Sequence, residues 1–404
     1  MFIPRDMAHE LEKSPAWIQV LLGPRQCGKS TLLASFLHEK GFQEANFDDL
    51  QLRRWANQDP ALFLQQFELP LILDEVQYVP HLFPELKKQV DALKRTAVFQ
   101  SVPSVENKRV LFCLTGSNQI LMDKNIKESL AGRASYYYLN TLTVHEIVSA
   151  LPETHIKTIL FKGGWPELYT NHRLSTVTYL NDYIRSYVEK DIVISAGIQK
   201  LTEFHTILGL LAARTGQLVN YSDIAKDSGV RSVTLKEWVG FLERADLVYL
   251  LRSYSSNLNQ RLIKTPKLYF LDTGLATRLQ GWSDGIPLWN SPQIGALFET
   301  LVLAEMVKFI RNYRKDWRLF LWRTKEGEEI DFILQTSQGV THAFEVKLSI
   351  QAVPSQISYP TAYRKEFSPS VPLVIVTFGG RRWRLSNECL VLPIVELHDY
   401  LMGV

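Results

Sequence analysis

Apolar positions along this chain fall into two rhythms, short continuous runs and stretches spaced three and four residues apart. Trp17-Ile18-Gln19-Val20-Leu21-Leu22 has the length of a buried strand, and Leu32-Leu33-Ala34-Ser35-Phe36-Leu37 continues as a helix, so the pattern predicts strand, loop, helix. Gln43 to Phe47 predicts a second strand ending at Asp48-Asp49, and Leu52 to Phe67 is helical in spacing. Leu69-Pro70-Leu71-Ile72-Leu73 then predicts a buried strand that ends in Asp74-Glu75. From Pro84 to Arg95 the spacing is helical, with Leu86, Val90 and Leu93 on one face and Lys87, Lys88, Lys94 and Arg95 largely on the other. Arg109 to Thr115 predicts a further strand, ending in Gly116-Ser117-Asn118. Apolar strands alternating with helices predict an α/β domain on a parallel sheet.

Beyond this region the rhythm changes. Phe161-Lys162-Gly163-Gly164-Trp165-Pro166-Glu167 marks a tight turn within a helical region, and Thr176 to Val193 is helical in spacing, carrying Arg185, Glu189, Lys190 and Asp191. Val219 to Leu247 reads as helix, turn, helix, with the turn at Ser228-Gly229-Val230; Leu247 to Leu251 and Leu268 to Leu271 follow as a strand pair. That order predicts a winged helix. Helical spacing from Gln293 to Tyr313 precedes three strands, Arg318 to Arg323, Ile330 to Leu334 and Ala343 to Leu348, which predicts a second α/β unit.

At 404 residues, 46% hydrophobic and 22% charged, the chain has the composition of a multidomain globular protein. Its net charge of +3, from 45 basic and 42 acidic residues, is too balanced to imply a nucleic-acid partner by itself. Cys27, Cys113 and Cys389 are far apart and lack metal-ligand spacing, which fits a reduced, cytoplasmic setting. No apolar stretch approaches the ~18 residues that span a bilayer, so no membrane partner is expected.

The candidate chemistry begins at Gly23-Pro24-Arg25-Gln26-Cys27-Gly28-Lys29-Ser30-Thr31, a phosphate-binding loop between strand and helix. Its backbone N–H groups cradle phosphates, Lys29 reaches the β- and γ-phosphates, and Ser30 holds Mg²⁺. Asp74 completes the Mg²⁺ shell while Glu75 polarises the attacking water, the division of labour that phosphoryl transfer to water requires. Asn118 or Ser117 is placed to sense the γ-phosphate, and Arg133, in Leu130-Ala131-Gly132-Arg133, is a candidate arginine finger or a partner in a structural ion pair.

Taken together, these motifs resemble those of a family of prokaryotic AAA-type ATP-binding proteins. The resemblance implies ATP and Mg²⁺ as ligands and a C-terminal domain of restriction-endonuclease-like fold. It covers nearly the whole chain. It leaves open self-association through a neighbour's arginine.

In that C-terminal region Glu345-Val346-Lys347 and Asp331 resemble the PD-(D/E)xK nuclease motif, with Ile330 where the motif's name has proline. Strand alternation puts Glu345 and Lys347 on one face, and a neighbouring strand brings Asp331 beside them. Asp331 and Glu345 are the expected ligands for Mg²⁺ or Mn²⁺, with Glu299 in support and Lys347 stabilising charge on a cleaved phosphodiester. DNA is the expected partner, contacted by Arg231, Lys236, Arg252 and Arg261 of the winged helix and by basic and aromatic residues such as Arg311, Arg314, Trp317 and Arg382.

The expected architecture is therefore an AAA-type P-loop ATPase domain at 1–150, a helical lid or linker at 151–205, a winged helix at 206–272 and a nuclease-like domain at 273–404. The expected function is Mg²⁺-dependent hydrolysis of ATP to ADP and phosphate that gates DNA binding or cleavage. The alternative is a nucleotide-dependent switch whose nuclease-like domain only binds protein or nucleic acid.

Overall fold

The computed structural model describes residues 1–37, 41–99, 110–117, 130–193, 197–254, 265–349, 363, 367, 371–386 and 389–404. The first unit is built on strands β1 (Ile18–Leu22), β2 (Gln43–Asn46), β3 (Leu71–Asp74), β4 (Phe112–Gly116) and β5 (Ala134–Tyr138), in the order β2-β3-β4-β1-β5. All neighbours are parallel. Every residue of β1, β3 and β4 is buried, because helices cover both faces of a parallel sheet.

Strand alternation sorts these side chains into two layers. Ile18, Val20, Leu22, Leu71, Leu73, Phe112 and Leu114 pack with Leu82, Phe83, Leu86 and Val90 of the helix Leu82–Phe99. Leu21, Ile72 and Cys113 face the other way, onto Leu32 and Leu33 of the helix Lys29–Leu37 and onto Met7 and Leu11. Leu93, expected on the buried face of Leu82–Phe99, is instead 38% exposed. The helix expected over Leu52 to Phe67 is two, Leu50–Gln58 and Pro60–Gln65. Asp59 separates them, its carboxylate capping Leu62 N–H at 2.9 Å with Pro60 in the first turn, where its missing N–H costs nothing.

Gly163 and Gly164 turn the chain out of the helix Ile156–Lys162. Gly163 has φ +72° and a Cβ there would lie 2.0 Å from Asp272 Oδ1, so both the conformation and the close approach require glycine. The helix Thr176–Tyr183 runs on as a π-helix, Ile184–Ile192. Next come the helix Leu201–Ala213, strand β6 (Gln217–Leu218), the helices Tyr221–Ser228 and Ser232–Arg244, and the strands β7 (Val248–Leu251) and β8 (Lys267–Phe270), in a sheet ordered β6-β8-β7.

The last unit places the helix Ile294–Asn312 before a six-stranded mixed sheet. Its strands are β9 (Arg318–Arg323), β10 (Glu329–Thr336), β11 (Gly339–Lys347), β12 (Leu373–Thr377), β13 (Trp383–Ser386) and β14 (Cys389–Pro393), in the order β13-β14-β12-β11-β10-β9. Strands β11, β12 and β14 are parallel and the outer pairs antiparallel.

Among the described residues, one apolar cluster joins Ile3 with side chains taken from Leu142 through to Leu401. The helix Ile294–Asn312 lies in its middle, contributing Leu297, Phe298, Leu301 and Val302. Two buried charges on that helix grip the exit of the first sheet: Glu305 accepts from Val144 N–H at 2.7 Å, and Lys308 donates to Leu142 O at 2.8 Å. Arg311 bridges Asn140 Oδ1 (2.7 Å) and Asp246 Oδ1 (2.8 Å). These contacts join the C-terminal unit to the first two.

Candidate nucleotide-binding site

The glycine loop leaves the C-terminal end of β1. Gly23 packs so tightly under Leu139 that a Cβ would sit 2.1 Å from its carbonyl oxygen. Cys27 is fully buried beneath the loop, its thiol donating to Leu139 O at 3.4 Å, and burial pushes its pKa up. Its role is therefore packing. Lys29 donates to the carbonyls of Gly23 (3.0 Å) and Pro24 (2.9 Å), which hold the ammonium inside the loop.

Strands β3 and β4 bring the acidic groups to the same edge. Asp74 Oδ2 accepts from Ser30 Oγ at 2.9 Å and from Asn46 Nδ2 at 3.2 Å, while Oδ1 accepts from Thr115 Oγ1. Glu75 adopts a left-handed conformation, φ +57°, and its N–H donates to Thr115 Oγ1 at 3.1 Å. The Glu75 carboxylate accepts from Ser117 Oγ at 2.7 Å, from Ser117 N–H at 3.3 Å and from Gln77 Nε2. Burial alone raises the Glu75 pKa, but the charge of Lys29 and the hydrogen bonds from Gln77 and Ser117 outweigh it and hold the carboxyl below its usual range.

Of these groups Lys29, Ser30 and Glu75 open onto a cavity of about 490 Å³. Arg25, Gln26, Gly28, Lys29, Ser30, Thr31, Asp48 and Glu75 line it together with Phe2, Ile3, Arg5, Leu142, Pro166, Glu167 and Thr170. Asp48 is raised by burial and by the nearby Glu75 charge. The N-terminal segment reaches this wall because Arg5 is pinned beneath the loop. Its guanidinium donates to Cys27 O (2.7 Å), Asn140 O (2.7 Å) and Glu146 Oε1 (3.1 Å), and Glu146 in turn closes a capping box with Thr143. Such a site can take a polyanion at the loop.

A second charged cluster lies in the C-terminal sheet. Phe332 pairs with Phe344 across β10 and β11, which sets Asp331 opposite Glu345. Asp331 Oδ2 accepts from Val346 N–H at 2.8 Å, and Lys347 Nζ lies 2.9 Å from Glu345 Oε2. Burial, then the charges of Glu345 and Glu299, push the Asp331 carboxyl well above its usual range. Glu299, expected to support a metal, accepts instead from Lys267 Nζ (3.2 Å) and Tyr269 OH (2.5 Å) of β8.

Residues 16–148 match an AAA domain family. That stretch is similar to AAA domains and holds the glycine loop and both acids. Residues 153–285 and 294–397 match two families each described as a domain of unknown function, DUF8612 and DUF4143. An uncharacterized protein of Mycobacterium tuberculosis is 29% identical over 405 residues, covering 97% of this chain and 84% of its own. One from Haemophilus influenzae is 24% identical over 384 residues, covering 87% and 89%. Among solved structures, the Walker-type ATPase of Pyrococcus abyssi is 15% identical and covers 68% of this chain and 93% of its own, at TM-score 0.38. The Aeropyrum pernix ORC2 protein is 14% identical, covering 74% and 93%, at TM-score 0.36.

Within residues 16–148, the loop Gly23–Thr31, Asp74, Glu75 and Ser117 stand together, and Asn118 lies outside the described residues. Arg133 forms the ion pair that was the alternative to a finger. Ala134 pairs with Ile18 and Tyr138 with Leu22, so Arg133 sits at the strand-start edge, ~13 Å of strand away from the loop. Its guanidinium is held by Asp91 Oδ1 (2.7 Å) and Oδ2 (2.9 Å), the structural ion pair. The side chains of Glu189, Lys190 and Asp191, and all of Arg261, are likewise outside the described residues. Several basic and aromatic residues expected to track DNA have partners within the chain. Arg311 ties two units together, Arg314 lies 4.8 Å from the Tyr137 ring and Trp317 stacks on Phe309. Sequence reasoning missed Arg5, Gln77, Thr115 and the cavity wall at Phe2, Ile3 and Thr170. The signal at hand was the capping pattern Thr143-x-x-Glu146, whose buried acid needed a cation.

Proposed function

We propose that this chain is a Mg²⁺-dependent ATPase that cleaves ATP to ADP and phosphate. The observation that carries the reading is the convergence of Lys29, Ser30 and Glu75 on one cavity of about 490 Å³, with Asp74 behind them accepting from the Ser30 hydroxyl at 2.9 Å. The Ser30 hydroxyl and Asp74 carboxylate are hard oxygen donors suited to Mg²⁺, which when bound neutralises charge on the phosphates. Lys29 exchanges its carbonyl partners for phosphate oxygens. Glu75, ionised and held by Ser117 and Gln77, orients water toward the γ-phosphate and accepts its proton. Thr115 and Asn46 keep Asp74 turned toward the loop.

On this reading residues 206–272 are a winged helix and 273–404 a nuclease-like domain, with the lid at 151–205 relaying nucleotide state. Supporting the relay is the hydrogen bond from Tyr187 OH, on the π-helix, to Ser117 O at 3.2 Å. DNA is the proposed partner, with Arg231, exposed just before the helix Ser232–Arg244, offered to it. The engagement of Glu299 by Lys267 favours the second reading, in which the C-terminal domain binds without cutting. Phosphate release from ATP, measured for the full chain and for Lys29→Ala and Glu75→Gln, tests the ATPase; turnover surviving both substitutions overturns it. Supercoiled DNA in Mg²⁺ or Mn²⁺, with and without ATP, separates binding from cleavage.

A further inference from the structure

The C-terminal carboxylates do not stand as an open set of metal donors. Lys267 is 6% exposed, and its ammonium lies between Glu299 of the helix Ile294–Asn312, at 3.2 Å, and Glu329 of β10, which it also contacts. Tyr269, two residues along β8 and so on the same face, donates to the same Glu299 oxygen. Arg323 approaches Glu329 at 3.6 Å, and Lys347 takes Glu345 at 2.9 Å. Of the carboxylates Glu299, Glu329, Asp331 and Glu345, three are thus paired with cations, and Asp331 takes a backbone N–H. A dication at Asp331 and Glu345 would meet roughly one uncompensated negative charge, with an ammonium alongside.

We propose that Lys267 is the resident cation of this centre, so that the cluster neutralises itself with a side chain from the preceding module and takes no divalent metal. Lys267 then serves as a charged peg between β8, the helix Ile294–Asn312 and β10. The nuclease-like reading enters only in saying where a dication would sit. Buried carboxylates must be neutralised by something within a few ångströms, and an ammonium already in place has no solvation to give up on arrival. Emptying that position leaves Glu299, Glu329 and Asp331, whose charges all act on Lys267, to a solute cation.

The test is Mn²⁺ binding to the nucleotide-free full chain by electron paramagnetic resonance, counting only the signal that Asp331→Asn removes. The wild type is expected to show no such site below about 1 mM, the weak end of protein carboxylate sites. Lys267→Met is expected to create one at least ~10-fold tighter, and Lys267→Arg, which keeps the charge, is not. If Lys267→Met does not fold, Lys267→Gln keeps a donor for Glu299 without the charge. The wild-type melting temperature should also be the same in Mn²⁺ and in chelator. An Asp331-dependent site of equal strength in wild type and Lys267→Met, or none in either, overturns the proposal. ATP turnover of the same samples reports on the ATPase reading separately.

Discussion

At the P-loop, Lys29 and Glu75 border a cavity of about 490 Å³, and the ammonium is parked on two backbone carbonyls. Beside the C-terminal sheet, Lys267 of β8 and Glu299 of the helix Ile294–Asn312 face each other, the lysine only 6% exposed. Both centres put a lysine among carboxylates, yet the first leaves room for a ligand and the second fills its own. The difference lies in what each lysine is given to hold. Neutral carbonyls are partners that an anion outcompetes, because a phosphate brings full charge to the same ammonium. Paired carboxylates already satisfy it.

The largest expected effect breaks the comparison at the open centre. Lys29→Ala and Glu75→Gln should each lower kcat for ATP by about a hundredfold or more, since one removes charge on the phosphates and the other the base. Lys347→Ala, in the filled centre, should leave ATP turnover unchanged. Steady-state phosphate release on the three variants decides it. Equal losses in all three would mean that the two centres work as one.

Next comes the buried pair that supports the open site from behind. Arg5 and Glu146 have side chains 4% and 1% exposed, and the guanidinium also binds the loop carbonyl of Cys27. Arg5→Ala leaves an uncompensated buried carboxylate and should cost about 3–5 kcal/mol in chemical denaturation. The double variant Arg5→Met with Glu146→Gln should recover part of that loss. A shift under ~1 kcal/mol for Arg5→Ala would mean that water replaces the guanidinium, and that the site is wetter than its burial indicates.

The uneven legibility of the two centres has a physical origin. The glycine loop, its lysine and serine, and the two acids ending β3 are each contiguous in sequence, because a strand delivering groups at its end needs only local pattern. Four of the five parallel strands were readable for the same reason; β5, Ala134–Tyr138, was not. Leu52 to Phe67 misled because apolar spacing continues across Asp59, whose capping preference competes with it. Arg5, Lys267 and Tyr269 were invisible as site residues since their partners lie far along the chain: Glu146 is 141 residues from Arg5, and Glu299 is 32 from Lys267. Asp331 and Glu345 could be paired in advance only because strand alternation is a local rule. What filled the space beside them was set by another module.

A smaller effect sharpens how the base is held. Ser117 gives Glu75 two of its hydrogen bonds, and these help keep the carboxyl below its usual range. Ser117→Ala should lower kcat about tenfold with KM little changed, as expected for a group that orients the base without touching ATP in the ground state. Because a hydrogen bond to the ionised form is lost, the Glu75 pKa rises, so the acid limb of the kcat profile should move to higher pH. A change confined to KM would assign Ser117 to nucleotide binding instead.

Arg133 should produce the smallest effect. It lies at the strand-start edge of β5, away from Lys29, with Asp91 taking two of its N–H groups. An arginine finger supplied within one chain is worth orders of magnitude in phosphoryl transfer, because it meets charge that develops on the transferred group. Arg133 has no access to that charge in its own chain, and an exposed ion pair contributes little to stability. Arg133→Ala should therefore leave turnover within a factor of about 2 at protein concentrations low enough to exclude association. The measurement repeated over rising concentration separates two outcomes. A flat ratio of variant to wild type keeps Arg133 structural. A ratio that falls as concentration rises would place it against a neighbour's nucleotide, and would make the outer edge of β5 an assembly face.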